Sequence, residues 1–275
     1  MKRMKLRIFL FIAVTLAALL APVLVPAQGQ AGNVPETKVP APTQTVPLTI
    51  TAPSWQSGSY WQTHGEQLLT DFGNLARYRN ADEKLGAPAP GVNRVVFMGD
   101  SITDAWHLDV SFPGKPYINR GISGQTTPQM LVRFRQDVIN LKPKVVVILA
   151  GTNDIAENTG PMTPEETEGN LMSMVQLARA NGIKVVLCSI LPSTNFWWHN
   201  GLHPAPKIVA LNKWIKEYAT REGYPYVDYY SAMADAQGGL PENLSKDGVH
   251  PLPAGYAVMA PLAEAGIEKA LKSRE

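Results

Sequence analysis

The chain has 275 residues, 45% of them apolar and 17% charged, with a formal net charge of +2. That is enough chain for one large domain with a sizeable core, and too apolar for wholesale disorder. Removing the four basic side chains of residues 1–27 leaves the remainder near −2, without the basic surplus expected of a nucleic-acid binder.

Lys2, Arg3, Lys5 and Arg7 precede an apolar run from Leu6 to Leu24, and Val25-Pro26-Ala27 closes it with small residues. This is the pattern of an export signal, with cleavage expected after Ala27. The alternative is a retained membrane anchor. The run is near the short limit for a span, and Pro22 and Pro26 mark its end. Residues 28–58 are rich in Pro, Thr, Ala, Gln and Val, and read as an extended linker. The folded domain is expected over residues 59–275, with no stable membrane insertion once the leader is gone. Its first helix is predicted from about Tyr60 to Leu85, where Trp61, Leu68, Leu69, Phe72, Leu75 and Tyr78 recur near helical spacing.

The rest of the chain is organised around Arg94–Thr103, RVVFMGDSIT. Val95 to Met98 form a short apolar run, and Gly99 breaks it, as a buried strand ending in a turn would read. Further strands are predicted at Tyr117–Gly121, Val145–Ala150, Lys184–Leu191 and Tyr226–Tyr229. Helices are predicted at Gln129–Leu141, Pro164–Asn181, Lys207–Arg221 and Pro253–Lys272. Strand and helix alternate, which argues for a parallel sheet covered on both faces. The expected strand order is 2-1-3-4-5.

Ser101 falls where a strand hands over to a helix, the usual place for a site in an open α/β sheet. It reads either as a nucleophile or as an ordinary N-cap. A serine hydroxyl needs a base within reach, and His250 can supply it. Asp247, three residues earlier, can fix the imidazole's tautomer and stabilise its cation. The N–H groups of Ser101 and Gly124 and the side-chain amide of Asn153 can converge on an oxyanion.

GDSIT around Ser101, the glycine at Gly124, GTND around Asn153 and DGVH around His250 occur in this order from about Arg94 to the C-terminus. The ordered set resembles the four blocks of the SGNH, or GDSL-type, esterase and acylhydrolase family. The resemblance implies a three-layer α/β/α flavodoxin-like fold with a five-stranded parallel sheet. It also implies ester hydrolysis through an acyl-enzyme, with Ser101, Asp247 and His250 catalytic and Ser101, Gly124 and Asn153 forming the oxyanion hole. No cofactor and no metal are expected. The ordinary α/β-hydrolase reading loses support because no G-x-S-x-G occurs.

Expected substrates are small esters or acylated carbohydrates carrying short acyl groups such as acetyl. Lysophospholipase, thioesterase or arylesterase activity is the alternative within the family. A non-catalytic carbohydrate-binding module is the rival outside catalysis. Asp100, Trp197 and Trp198 are candidate substrate contacts, although the two tryptophans suit a core-capping role equally. His199 and His203 have a spacing that can hold a metal on a helix, but Gly201 and Pro204 disfavour one there. His64 and His107 read as surface or structural. Cys188, alone in VVLCSIL, reads as a buried, inert thiol. No cysteine directly follows the apolar run, so a lipoprotein anchor is not expected.

Overall fold

The computed structural model describes residues 60–273. The expected leader at 1–27 and the linker at 28–58 lie outside the described residues. The expected first helix is two. α1 spans Tyr60–Thr70 and α2 spans Arg79–Leu85. Between them Asp71 turns the chain, its carboxylate accepting the N–H groups of Leu75 at 2.8 Å and Ala76 at 3.0 Å. Asn74 completes the break with φ of 52°, because a short polar side chain tolerates the left-handed region.

Five strands follow: β1 Val95–Gly99, β2 Tyr117–Gly121, β3 Val145–Leu149, β4 Lys184–Cys188 and β5 Tyr226–Val227. They pair in parallel in the order β2-β1-β3-β4-β5. β1 and β3 are buried at every position, as an apolar run covered on both faces should be. In the pairing register Gly99 lies beside Gly121 on one side and Leu149 on the other. Three strands therefore end level, and the loops that follow them open at one edge.

Two strands stop earlier than their apolar runs suggest. Beyond Cys188 the backbone of Ile190 is taken up by the Asn212 side-chain amide, which accepts its N–H at 2.8 Å and donates to its carbonyl at 2.9 Å. Beyond Val227, Asp228 caps the short helix α9, Tyr229–Met233, by accepting the Ser231 N–H.

Helices cover both sides of the sheet. The short helices α3 Ser101–Asp104 and α6 Thr152–Ile155 follow strands directly, and α4 Leu108–Ser111 follows α3. The longer ones are α5 Thr127–Asp137, α7 Pro164–Ala180, α8 Pro204–Glu222 and α10 Pro253–Lys272. α5 ends before the expected Leu141, in a 3₁₀ turn at Ile139–Leu141 closed by a left-handed Lys142. Caps explain several boundaries. Thr163 and Glu166 exchange side-chain to backbone bonds at 3.2 and 2.8 Å across the first turn of α7, a capping box. A proline opens α7, α8 and α10, where its missing N–H costs nothing.

Candidate active site

α3 begins at Ser101, with Asp100 as its N-cap accepting the Ile102 N–H at 3.0 Å. Ser101 is thus the first helical residue, whose own N–H has no partner within the helix. The segment before α10 brings His250 opposite: Ser101 Oγ lies 2.9 Å from His250 Nε2. On the far side of the ring, Nδ1 lies 2.6 Å from Asp247 Oδ2. The remaining oxygen, Oδ1, accepts the N–H groups of Val249 at 3.0 Å and His250 at 2.8 Å, and the Ser245 hydroxyl at 3.1 Å. Burial alone would raise the Asp247 pKa. The bonds from His250 and Val249 outweigh it and hold the carboxyl below the usual carboxylate range. Asp247 is therefore ionised at neutral pH and accepts from the ring at Nδ1, so in the neutral tautomer that this bond selects the lone pair lies on Nε2, facing Ser101.

The loop after β2 carries Gly124 with φ of 78°, a conformation that turns its peptide without steric cost only for glycine. The turn after β3 carries Asn153, 3% exposed. Its Nδ2 donates to the Gln125 carbonyl at 3.0 Å and meets Asp100 Oδ2 at 3.4 Å. Ser123 ties the same loop to α3 through the Asp104 carboxylate, at 2.8 Å from its hydroxyl and 3.2 Å from its N–H. Tyr256 of α10 donates to the Ile102 carbonyl at 2.8 Å, so the helix that follows His250 is seated on the helix that carries Ser101.

Two carboxyls lie beneath these loops. Burial pushes Asp100 up to about 7, against the pull of the Ile102 N–H and His250. Burial likewise pushes Asp154 up to about 6, against its bonds to Thr127. Asp100 is 1% exposed, its two oxygens meeting the Ile102 N–H and the Asn153 amide. Trp198 is half-buried, stacked on Phe196 at 5.1 Å, with its ring centre 6.4 Å from that of His250. Trp197 stands edge-on to it at 5.4 Å and is 55% exposed. His199 and His203 share no helix. His199 Nδ1 bonds the Ala156 carbonyl at 2.8 Å, and His203 precedes α8 with φ of 47°. Cys188 is buried, its thiol pushed up to about 12 by that burial.

Two residues of the site escaped the reading of the sequence. Asn158 hydrogen-bonds both Asn153 and the Gly124 carbonyl, yet a lone asparagine in a loop carries no pattern. Arg133, fully buried on α5, donates to the carbonyls of Gly99 and Arg120. Its signal was available: Arg133 and Asp137 stand four apart on the stripe formed by Met130, Phe134 and Val138, where a charged pair is conspicuous.

Residues 97–258 match the GDSL-like Lipase/Acylhydrolase family. Among solved structures, a GDSL-like lipase from Bacteroides thetaiotaomicron VPI-5482 is 46% identical with a TM-score of 0.70, over 73% of this chain and 100% of that one. The uncharacterized lipoprotein YqeF of Bacillus subtilis is 30% identical over 141 residues, 44% of this chain and 58% of YqeF, less than two thirds of that protein's length. An acetylxylan esterase from Geobacillus stearothermophilus is 28% identical over 213 residues, 64% of this chain and 94% of the relative. The family match runs through more than half of the chain and takes in the strand-end loops just described: this protein belongs to the GDSL-like Lipase/Acylhydrolase family.

Proposed function

We propose that this protein is an exported serine esterase that removes short acyl groups, acetyl above all, from carbohydrate alcohols. The observation that carries the catalytic part is the unbroken hydrogen-bonded line from Ser101 Oγ through the His250 ring to Asp247, 2.9 and 2.6 Å long. In the reading it supports, Ser101 Oγ attacks the ester carbonyl carbon while Nε2 of His250 takes the hydroxyl proton. The carbonyl oxygen becomes an oxyanion, met by the N–H groups of Ser101 and Gly124 and by Asn153 Nδ2. One Nδ2 hydrogen is engaged by Gln125 at 3.0 Å. The other meets Asp100 only at 3.4 Å and is the one available to swing to the oxyanion. The ring then returns its proton to the leaving alcohol. Water repeats the sequence on the acyl-enzyme, releasing the acid and restoring Ser101. Asp247 keeps its charge throughout.

The substrate part is supported by the likeness to an acetylxylan esterase and by the exposed Trp197, edge-on to Trp198, whose ring centre lies 6.4 Å from that of His250, since sugar rings stack on indoles through their apolar faces. Export is supported by the basic leader followed by an apolar run and by the likeness to a lipoprotein. Among the described residues no helix is long and apolar enough to cross a membrane.

The test is turnover of p-nitrophenyl esters of increasing chain length and of acetylated xylo-oligosaccharides. Acetyl is expected to be preferred, and Ser101→Ala to abolish turnover while the protein remains folded. Near wild-type kcat in folded Ser101→Ala would sink the mechanism. Preference for long acyl chains would sink the substrate assignment and leave the mechanism standing.

A further inference from the structure

Asn158 is 5% exposed and sits in the loop after α6, outside the four sequence blocks. Its side-chain amide makes three bonds. Nδ2 donates to Asn153 Oδ1 at 3.0 Å and to the Gly124 carbonyl at 2.9 Å. Oδ1 accepts the indole N–H of Trp198 at 2.9 Å.

The donor and acceptor types on either side of Asn158 are not interchangeable. An indole N–H can only donate, and a backbone carbonyl can only accept. Between Trp198 and Gly124 the Asn158 amide therefore has one satisfactory orientation, oxygen towards the indole and nitrogen towards the loop. That orientation dictates the next. Asn153 must present its oxygen to the Asn158 nitrogen, so its own NH₂ group is turned towards Gln125 and Asp100, beside Ser101. A reversed Asn153 would set two NH₂ groups against each other and press an oxygen onto the Gln125 carbonyl. Each such mismatch leaves a buried polar group unpaired, at about 1–3 kcal/mol.

From this we infer that Asn158 and Trp198 are positioning residues for the oxyanion hole, acting through Asn153 and Gly124 rather than on the substrate. Trp198 is well placed to be the fixed end of the relay, because stacking on the fully buried Phe196 holds its ring. Asn158 then performs two tasks with one group. It selects which face of the Asn153 amide meets the substrate, and it tethers the peptide of the Gly124 loop to that same amide. Two oxyanion donors from different loops are thereby held at a common distance, as preorganised stabilisation of developing charge requires.

The inference rests on the oxyanion role proposed above for Asn153, and the experiment separates the two. kcat, KM and thermal midpoint are measured with an activated acetyl ester for Asn153→Ala, Asn158→Ala, the double variant, Trp198→Phe and Trp198→Phe with Asn153→Ala. Asn153→Ala is expected to lower kcat by about 10²–10³-fold. Asn158→Ala is expected to lower kcat by roughly tenfold or more with little change in KM. Trp198→Phe keeps an aromatic ring on Phe196 but loses the indole N–H together with the second ring of the indole, and is expected to shift kcat in the same direction by less. Both effects should shrink markedly when Asn153 is already alanine, leaving only the part carried through the Gly124 carbonyl, because residues acting through one group are not additive. A residue that merely holds the loop together would instead lower kcat by the same factor in both backgrounds. That outcome, or wild-type kcat in folded Asn158→Ala, would overturn the inference. Should Asn158→Ala not fold, the Trp198→Phe pair carries the same test. Full kcat in folded Asn153→Ala would remove the oxyanion role itself, and the relay with it.

Discussion

The Arg133 guanidinium donates to the Gly99 carbonyl at 3.0 Å, so a side chain from the middle of α5 holds the end of the strand from which Ser101 departs. The same group donates to the Arg120 carbonyl at 2.8 Å, to Gln125 and to Asp137 at 3.0 Å. It thereby fastens β1, β2 and the Gly124 loop to one helix. Both Arg133 and Asp137 are fully buried. Arg133→Leu removes the cation facing the buried Asp137 carboxylate, which keeps only neutral donors such as the Gln136 amide, and takes a donor from the carbonyls of Arg120 and Gly99, the latter keeping the Ile122 N–H. We expect a loss of roughly 3–5 kcal/mol in unfolding free energy, seen as a thermal midpoint lower by on the order of 10 °C. Replacing Asp137 by leucine as well should restore part of the loss. A midpoint within 2–3 °C, about the shift of a minor surface change, would show that the pair carries no net weight.

Gly121 ends β2 against the backbone of α3. A Cβ there would lie 2.1 Å from the Asp104 nitrogen and 2.6 Å from its Cα. Gly121→Ala must push α3 away or bend the strand, at roughly 1–3 kcal/mol or more for overpacking. Because α3 also carries Ser101, kcat should fall together with the thermal midpoint. An alanine variant with both unchanged would mean that the close approach of these two backbones is not required.

Asp154 gives a pH signature. Its carboxyl, pushed up to about 6 by burial, has an ordinary value of 3.8 in the unfolded chain. Between these values the folded state keeps a proton that the unfolded state has lost. This contribution to stability is full below about 4 and is lost as pH rises through about 6. Asp154→Asn removes it while keeping an oxygen for Thr127. Wild-type stability relative to the variant should therefore decline from pH 4 to pH 6 by on the order of 2–3 kcal/mol and stay level above. Denaturant titrations of both proteins across that range check the sign. A difference independent of pH would mean that Asp154 is ionised in the folded state throughout.

Much of this was legible in the residues themselves, for a physical reason. Val95–Met98 and Val145–Leu149 are short apolar runs with no helical period, and a strand buried on both faces is the state that suits them. Gly99 and Gly121 stop their runs where the chain must turn. The split between α1 and α2 was hidden because Leu68, Phe72 and Leu75 keep helical spacing across the break, while the deciding contact is one side chain, Asp71, reaching its own loop. The end of β4 was hidden for a related reason. Ile190 is as apolar as its neighbours, but Asn212, 22 residues later, takes its hydrogen bonds. At the site, the types and order of Ser101, Asp247 and His250 carried chemical meaning by themselves. Asn158 carried none until its three partners were assembled around it in space.

Ser101 and His250 touch across 149 positions of sequence, whereas all five strands are complete by Val227. The strands carry Ser101 to the edge of the sheet, but the ring that faces its hydroxyl comes from the segment beyond the last strand, held there as Tyr256 meets Ile102. A chain cut just before His250 would keep every strand and lose the contact.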